Sequence, residues 1–413
     1  MKYRALVYSS SRSDFGLLEG VILALKANAK VEILLTGSHT LPVNLASMQE
    51  ALDFCRVNSL QARIIPFHTA SVGDGRAQVL ALADATSSLS QELQLSQPDL
   101  LVLLGDRWEL FAISLAALLM RIPIAHISGG EVTSGAIDDS IRHAHTKLAS
   151  LHFVACEKYA HVVSLLGEED WRITISGESG LDWIHTSQCR EPADVWHDFN
   201  LPPRSSLPLL LLTYHPTSYG DSGLLMHELS VLRQVLQRLD GYEILITGPG
   251  LEQGAHIVRR SLQEAASDSS RMHYVEHLGR SNYLALMRSC AALIGNSSSG
   301  IVEAPSVGVP SLDIGDRQLG RERAASVFHC GFCPDQIVES VHHVTSENIV
   351  AYAKTVSNPY DPFQDGRNSE RIAYACIQAL ETVGKDGLLR KMFNQSCIPQ
   401  SWNSLLKDYA PSV

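Results

Sequence analysis

Residues 100–150 read LLVLLGDRWELFAISLAALLMRIPIAHISGGEVTSGAIDDSIRHAHTKLAS. The opening run, residues 100–104, is apolar at every position, which predicts a strand buried on both faces, as in a parallel sheet. Gly105-Asp106-Arg107 stands at its carboxyl end. Residues 109–120 carry a helical pattern, and 123–127 form a second buried strand that runs into Gly129-Gly130 and Glu131. Asp138-Asp139 then precede a helical segment bearing Arg142, His143 and Lys147. Ligands of open α/β sheets bind beyond the carboxyl ends of the strands. Two successive strand ends here deliver acids, bases and glycines, so chemistry is expected beside them.

Toward the N-terminus, residues 3–9 read as a strand. They are followed by the polar turn Ser10-Ser11-Arg12-Ser13-Asp14-Phe15-Gly16, with a helix expected from about Leu17. A serine-bearing turn between a first strand and a first helix suits an anion. Strands at 31–35 and 63–65 and helices at 45–57 and 77–95 lead to the central segment, and short strands at 152–155 and 173–175 follow it. This alternation predicts a doubly wound parallel sheet over residues 1–185. Residues 186–206, rich in Pro, Ser and charge, read as an interdomain connection. Strands at 207–213, 243–246, 273–275, 292–294 and 310–314 predict a second Rossmann-like domain over 207–365. A helix at 369–383, in a last segment of 366–413, is expected to pack back on the first domain. The fold class is α/β, two Rossmann-like doubly wound domains with the ligand expected in a cleft between them.

A chain of 413 residues suffices for two such domains, each with its own core. The net charge of −11, without a long basic run, argues against a nucleic-acid partner. No apolar run reaches about 18 residues, so no membrane span is expected. The N-terminus opens as a strand rather than as a signal peptide, which makes the cytoplasm the expected location. The one CxxC, Cys330 to Cys333, has no second pair, so buried thiols are expected rather than zinc or redox chemistry.

Asn296-Ser297-Ser298-Ser299-Gly300 follows an apolar strand, where hydroxyls and backbone N–H groups suit a phosphate; plain N-capping is the competing reading. Arg317 follows the next strand. With Arg12 and Arg107 it makes three candidate guanidiniums for a diphosphate, although each alone also reads as a surface ion pair. Glu303 suits a ribose diol or a helix dipole. His215, held extended by Pro216, is either catalytic or structural. Asp106, Glu131, Asp138 and Asp139 form a carboxylate cluster of the kind that removes and returns protons. Alternatively, Asp138 or Asp139 caps a helix and pairs with Arg142. A metal is not expected, because no tight ligand spacing is present.

On these residues the chain resembles the hydrolysing UDP-N-acetylglucosamine 2-epimerases of sialic acid synthesis. The segments that carry the likeness are GDRWE, PIAHISGGEVTSGAIDDSIRHAHTK, IGNSSSGIVEAPS and IGDRQLGRERAASV, and it extends from SSRSDFG to the NPY segment. The resemblance implies a glycosyltransferase-B-like fold, a homodimer or homotetramer, and no cofactor. It implies conversion of UDP-GlcNAc and water to UDP and N-acetylmannosamine: UDP is eliminated to leave 2-acetamidoglucal, and water adds with inversion at the second carbon. Acid/base roles fall on Asp106, Glu131 and Asp138, and His215 becomes a proton donor near the diphosphate. UDP contacts fall on Arg12, Gly16, Arg107, His215, Gly250, Leu278, Ser297, Ser298, Glu303 and Arg317.

Two departures stand out. Some members carry a glutamate two residues after the strand histidine, where this chain has Ser128, with Glu131 three residues further on. The region around His256, Arg259 and Arg260 differs from the animal enzyme's feedback site for CMP-sialic acid, so weak or no such inhibition is expected. Two other readings stay open. One is the sibling reaction on a UDP-2,4-diacetamido-2,4,6-trideoxyglucose in legionaminic acid synthesis. The other is a nucleotide-sugar binding protein or glycosyltransferase of the same fold that performs no elimination.

Overall fold

The structure is a computed structural model, and it describes residues 3–36, 45–65, 75–133, 137–187, 190–216, 222–250 and 254–394. The chain divides into two compact units. The first takes the described residues up to Glu131, Ile137–Gly180 and those from Arg367 on; the second takes those of Val132–Ala136 and Leu181–Gly366.

The first unit is built on seven strands: β1 (Tyr3–Ser9), β2 (Ala29–Leu35), β3 (Gln61–Ile64), β4 (Leu100–Leu104), β5 (Ile124–Ile127), β6 (Leu151–Val154) and β7 (Ile173–Ile175). All pair in parallel, in the order β3-β2-β1-β4-β5-β6-β7. The second unit has β8 (Leu209–Thr213), β9 (Glu243–Thr247), β10 (Met272–Val275), β11 (Ala292–Gly295), β12 (Ser311–Ile314) and β13 (Val327–Cys330). These are also parallel, in the order β10-β9-β8-β11-β12-β13. Both units therefore have the expected doubly wound α/β architecture. The strand order reverses between β1 and β4 in one and between β8 and β11 in the other, and such switch points open crevices at the strand ends.

The apolar runs that predicted the central strands are explained by burial on both faces. In β4, Leu100, Val102 and Leu104 join one core while Leu101 and Leu103 join the opposite one. In β8, Leu210 and Leu212 face one core and Leu209 and Leu211 the other. The helix Asn368–Thr382 belongs to the first unit, where Ile372, Ala373, Cys376, Ile377 and Leu380 pack in the core shared with the helix Arg12–Lys26. Between residues 186 and 206, Pro192–Asp198 is helical, and Val195 and Trp196 are buried in a core of the second unit.

Two local expectations are corrected. The first helix starts at Arg12 rather than near Leu17, because Ser11 caps it, accepting the Asp14 N–H at 3.2 Å. Residues that read as an anion-binding turn thus form the cap and first turns of a helix. Strand β13 was not expected; its Phe328 and His329 are only partly buried or exposed, so no apolar run marks it. Asn296–Gly300 leads into the four-residue helix Ser299–Val302. Cys330 is a buried free thiol and Cys333 a half-buried one. Among the described residues no helix is long and apolar enough to cross a membrane.

Candidate functional site

In the first unit, the chain leaves β4 through Gly105 and turns into Asp106 and Arg107. Asp106 pairs with Nη2 of Arg142, and Nη1 of the same guanidinium donates to the Glu131 carbonyl at 2.8 Å. The Arg142 side chain is 2% exposed, so one enclosed cation ties the loop after β4 to the loop after β5. Asp106 retains 27% exposure, leaving its carboxylate reachable by a ligand, whereas Glu131 is buried. Asp139 lies 3.9 Å from Arg142 and 3.5 Å from His143, so the closest partner of Arg142 is Asp106, across the sheet, rather than a helix neighbour. Asp138, half-buried, lies in the first turn of the helix Ile137–Leu148. Gly130, just before Glu131, has φ 78, and a Cβ there would collide with the Tyr159 carbonyl. Only glycine lets the chain pass at that approach.

Two histidines buttress this loop. His126 Nε2 lies 2.8 Å from the Gly105 carbonyl, and burial, with the nearby His145 adding, lowers its pKa to about 3. Burial likewise lowers His145 to about 4, and its Nδ1 is 3.4 Å from Ser114 Oγ. Both rings are neutral at physiological pH, so His126 donates through Nε2 to the carbonyl just before Asp106. Ser128, with φ 61, donates through Oγ to Glu178 Oε2 at 2.9 Å; Glu178 is buried.

Arg107 pairs with the buried Glu109 at 2.7 Å and lies 3.8 Å from Asp14. Burial raises the Asp14 carboxyl to about 6 against the pull of Arg107. Arg12 lies on the first helix, but its side chain is outside the described residues. Gly16, four residues on, has open space where a Cβ would stand.

In the second unit the switch point is closed by one asparagine. The His215 N–H donates to Asn296 Oδ1 at 2.7 Å, and Asn296 Nδ2 returns a bond to the His215 carbonyl at 2.8 Å. The Asn296 carbonyl in turn accepts from Arg317 Nη1 at 3.0 Å and from the buried Gln318 Nε2 at 2.9 Å. The ends of β8, β11 and β12 are thereby knitted around one residue. Gly295, at φ 126, makes this possible, since any Cβ would collide with the Thr213 carbonyl. The Gly250 N–H donates to His215 Nδ1 at 3.4 Å, which in the neutral ring puts the proton on Nε2.

Ser297 is half-buried and Ser298 exposed, and the Ser298 side chain makes no capping bond to the helix it precedes. That removes the plain capping reading for Ser298. Glu303 follows Ser299–Val302; burial raises its pKa, with Arg280 opposing. Leu278 is buried in an apolar core, and its carbonyl accepts from Asn282 at 2.8 Å. Among the described residues no group of three or more His, Cys, Asp or Glu is arranged to hold a metal ion.

The structure thus adds His126, Glu178 and Gln318 to the residues that shape these strand ends, and gives Arg142 and Asn296 their partners from other strand ends. Of these, Glu178 in Gly177-Glu178-Ser179-Gly180 had the clearest signal, a carboxylate among glycines just after a strand.

A sequence model of the UDP-N-acetylglucosamine 2-epimerase family matches residues 23–376. The chain is 31% identical over 330 residues to the GDP/UDP-N,N'-diacetylbacillosamine 2-epimerase (hydrolyzing) of Campylobacter jejuni, covering 79% of this chain and 84% of that one. It is 29% identical to the UDP-N,N'-diacetylbacillosamine 2-epimerase (hydrolyzing) of Legionella pneumophila, covering 92% and 96%. The fold is similar to that of the Methanocaldococcus jannaschii UDP-GlcNAc 2-epimerase solved with UDP-GlcNAc and UDP: TM-score 0.70, 16% identity, covering 91% of this chain and 99% of that one. With a family match across most of its length and strand ends furnished as described, the chain belongs to the UDP-N-acetylglucosamine 2-epimerase family.

Proposed function

We propose that this protein is a hydrolysing UDP-N-acetylglucosamine 2-epimerase. UDP-GlcNAc loses the proton on its second carbon while the anomeric C–O bond to UDP breaks. Water then adds across the resulting 2-acetamidoglucal, its hydroxyl to the first carbon and a proton to the opposite face of the second, giving N-acetylmannosamine. The observation that carries this reading is the Asp106–Arg142–Glu131 arrangement, in which one buried cation holds two carboxylate-bearing loops together. Proton removal and return need two such groups in different surroundings. Asp106, Glu131 and Asp138 are the acid/base groups of the proposal, within an N-terminal domain of residues 1–185.

The departing UDP gathers negative charge, which preorganised donors stabilise. Ser297, Ser298, Arg317 and the Nε2–H of His215 serve that role in a UDP-binding domain of residues 207–365, with Gly250, the Leu278 backbone and Glu303 at the nucleoside. Arg107, Arg12 and the open space beside Gly16 complete the set. The protein acts in the cytoplasm as a homodimer or homotetramer. Exposed Leu115, Leu118 and Leu119 on one helix support self-association.

The test is an NMR time course with UDP-GlcNAc in deuterated water. Release of UDP with N-acetylmannosamine deuterated at the second carbon is expected; UDP-ManNAc as product, or no release of UDP, rejects the proposal. A second reading, action on a UDP-2,4-diacetamido-2,4,6-trideoxyhexose, is supported by the names of the Campylobacter and Legionella relatives. Turnover of that sugar nucleotide and not of UDP-GlcNAc selects it.

A further inference from the structure

Behind the serine loop of the second unit runs a chain of hydroxyls. Thr247 Oγ1 donates to the Leu212 carbonyl at 3.4 Å, and Thr213 Oγ1 lies 2.6 Å from Thr247 Oγ1. Thr213 is 3.4 Å from the Tyr283 hydroxyl, which is 2.8 Å from Ser299 Oγ. Ser299 Oγ donates to Ser297 Oγ at 3.0 Å, and the Ser299 N–H reaches the same oxygen at 3.4 Å. A hydroxyl has one proton. Thr247 spends its proton on a carbonyl, so Thr213 donates to Thr247. Ser299 spends its proton on Ser297, so Tyr283 donates to Ser299. The long Thr213–Tyr283 step is where the polarity divides. Outward from Tyr283 every donor points toward Ser297, whose oxygen has then used acceptor capacity only.

We propose that Tyr283, through Ser299, is a positioning residue for anion binding: the relay Tyr283–Ser299–Ser297 fixes the Ser297 oxygen and directs its O–H at a ligand phosphate. The inference rests on Ser297 contacting UDP, as in the proposed function. Donors arranged head to tail polarise one another, so the last hydroxyl gives a stronger bond to an anion than an isolated serine does. Tyr283 stays protonated throughout the neutral range, because burial raises its pKa to about 12. Without Tyr283, Ser299 is released to donate elsewhere and Ser297 loses its orienting partner.

The experiment is a double-mutant cycle read by calorimetric UDP binding, with thermal unfolding as a check that each variant folds. Tyr283→Phe keeps the ring and is expected to weaken UDP binding roughly 3- to 10-fold. In a Ser297→Ala background the same change is expected to do nothing further, since the relay then ends on no donor. Ser299→Ala runs through the same cycle and carries the test should Tyr283→Phe not fold. Unchanged affinity in Tyr283→Phe, or an equal loss with and without Ser297, overturns the relay while leaving the proposed function standing. Wild-type protein that fails to bind UDP overturns the reading of the site itself, and the relay with it.

Discussion

Asn296 and His215 hold each other from the ends of adjacent strands: His215 N–H to Asn296 Oδ1 at 2.7 Å, and Asn296 Nδ2 to the His215 carbonyl at 2.8 Å. They stand 81 residues apart in the chain. Asn296→Ala breaks both bonds in a buried setting, at about 1–3 kcal/mol for each group left unpaired. It also releases His215. Urea unfolding is expected to show that loss, with UDP affinity falling about tenfold alongside it. Normal affinity in a destabilised variant would separate the clasp from the binding function.

Arg317 leans on the same residue, with Nη1 donating to the Asn296 carbonyl at 3.0 Å. Arg317→Gln keeps a polar side chain and removes the charge, so UDP binding is expected to weaken about 10- to 100-fold, the range for a lost charge-assisted bond. Ser298→Ala, at an exposed hydroxyl, is expected to cost only a few-fold. Calorimetry that finds both variants unchanged removes both residues from the nucleotide site.

Asp106→Asn and Glu131→Gln are expected to lower turnover by about 10²–10⁴-fold while UDP still binds, the usual range for loss of a general acid or base. Arg142→Met removes the enclosed cation that both loops lean on. It is expected to destabilise the fold by about 2–3 kcal/mol, less than for a fully buried pair because Asp106 is partly solvated. Near-wild-type turnover in the two carboxylate variants contradicts the acid/base assignment.

The parts legible in sequence are those whose cause is local. The apolar runs of β4 and β8 announced parallel strands because both faces of each are buried. Asp106, His215 and Ser297 could be nominated because they follow strands. Strand β13 escaped notice since one of its faces is only partly covered, and the Ser11 cap disguised the start of a helix as a loop. The Arg142–Asp106 pair and the Asn296 clasp depend on which strands lie side by side. Composition along the chain carries no record of that order. Ser128 was visible as a departure, but its hydrogen bond to Glu178, fifty positions away, was not.

Arg259 is paired with Glu276 at 2.8 Å and Arg260 with Glu264 at 3.0 Å, so both guanidiniums are already engaged by carboxylates within the second unit. An anionic regulator at this surface has to displace them. Micromolar CMP-sialic acid is accordingly expected to leave turnover unchanged, and a titration showing inhibition in that range rejects the expectation.

The buried histidines make a contribution to stability that falls on mild acidification, and its sign follows from their burial. In the unfolded chain His126 and His145 titrate near 6.5, whereas in the fold burial lowers them to about 3 and about 4. Below pH 6.5 the unfolded state therefore takes up protons that the native state refuses. The stability that is full above pH 6.5 declines as pH drops toward 4, by about 1.4 kcal/mol per pH unit for each histidine. Asp14 acts in the opposite sense. Its carboxyl is raised to about 6 by burial, so between about pH 6 and 4 the native state binds a proton more readily than the unfolded chain does. Glu303, Glu228 and Asp313, also raised by burial, act in the same sense as Asp14, while the buried His152, lowered by burial, adds to the histidines. Urea titrations at pH 7.5, 6.5, 5.5 and 5 are expected to show, relative to the wild type, a change of stability on acidification that is more unfavourable in Asp14→Asn and less unfavourable in His126→Gln. A pH dependence in His126→Gln that matches that of the wild type means that this histidine is not held neutral by burial.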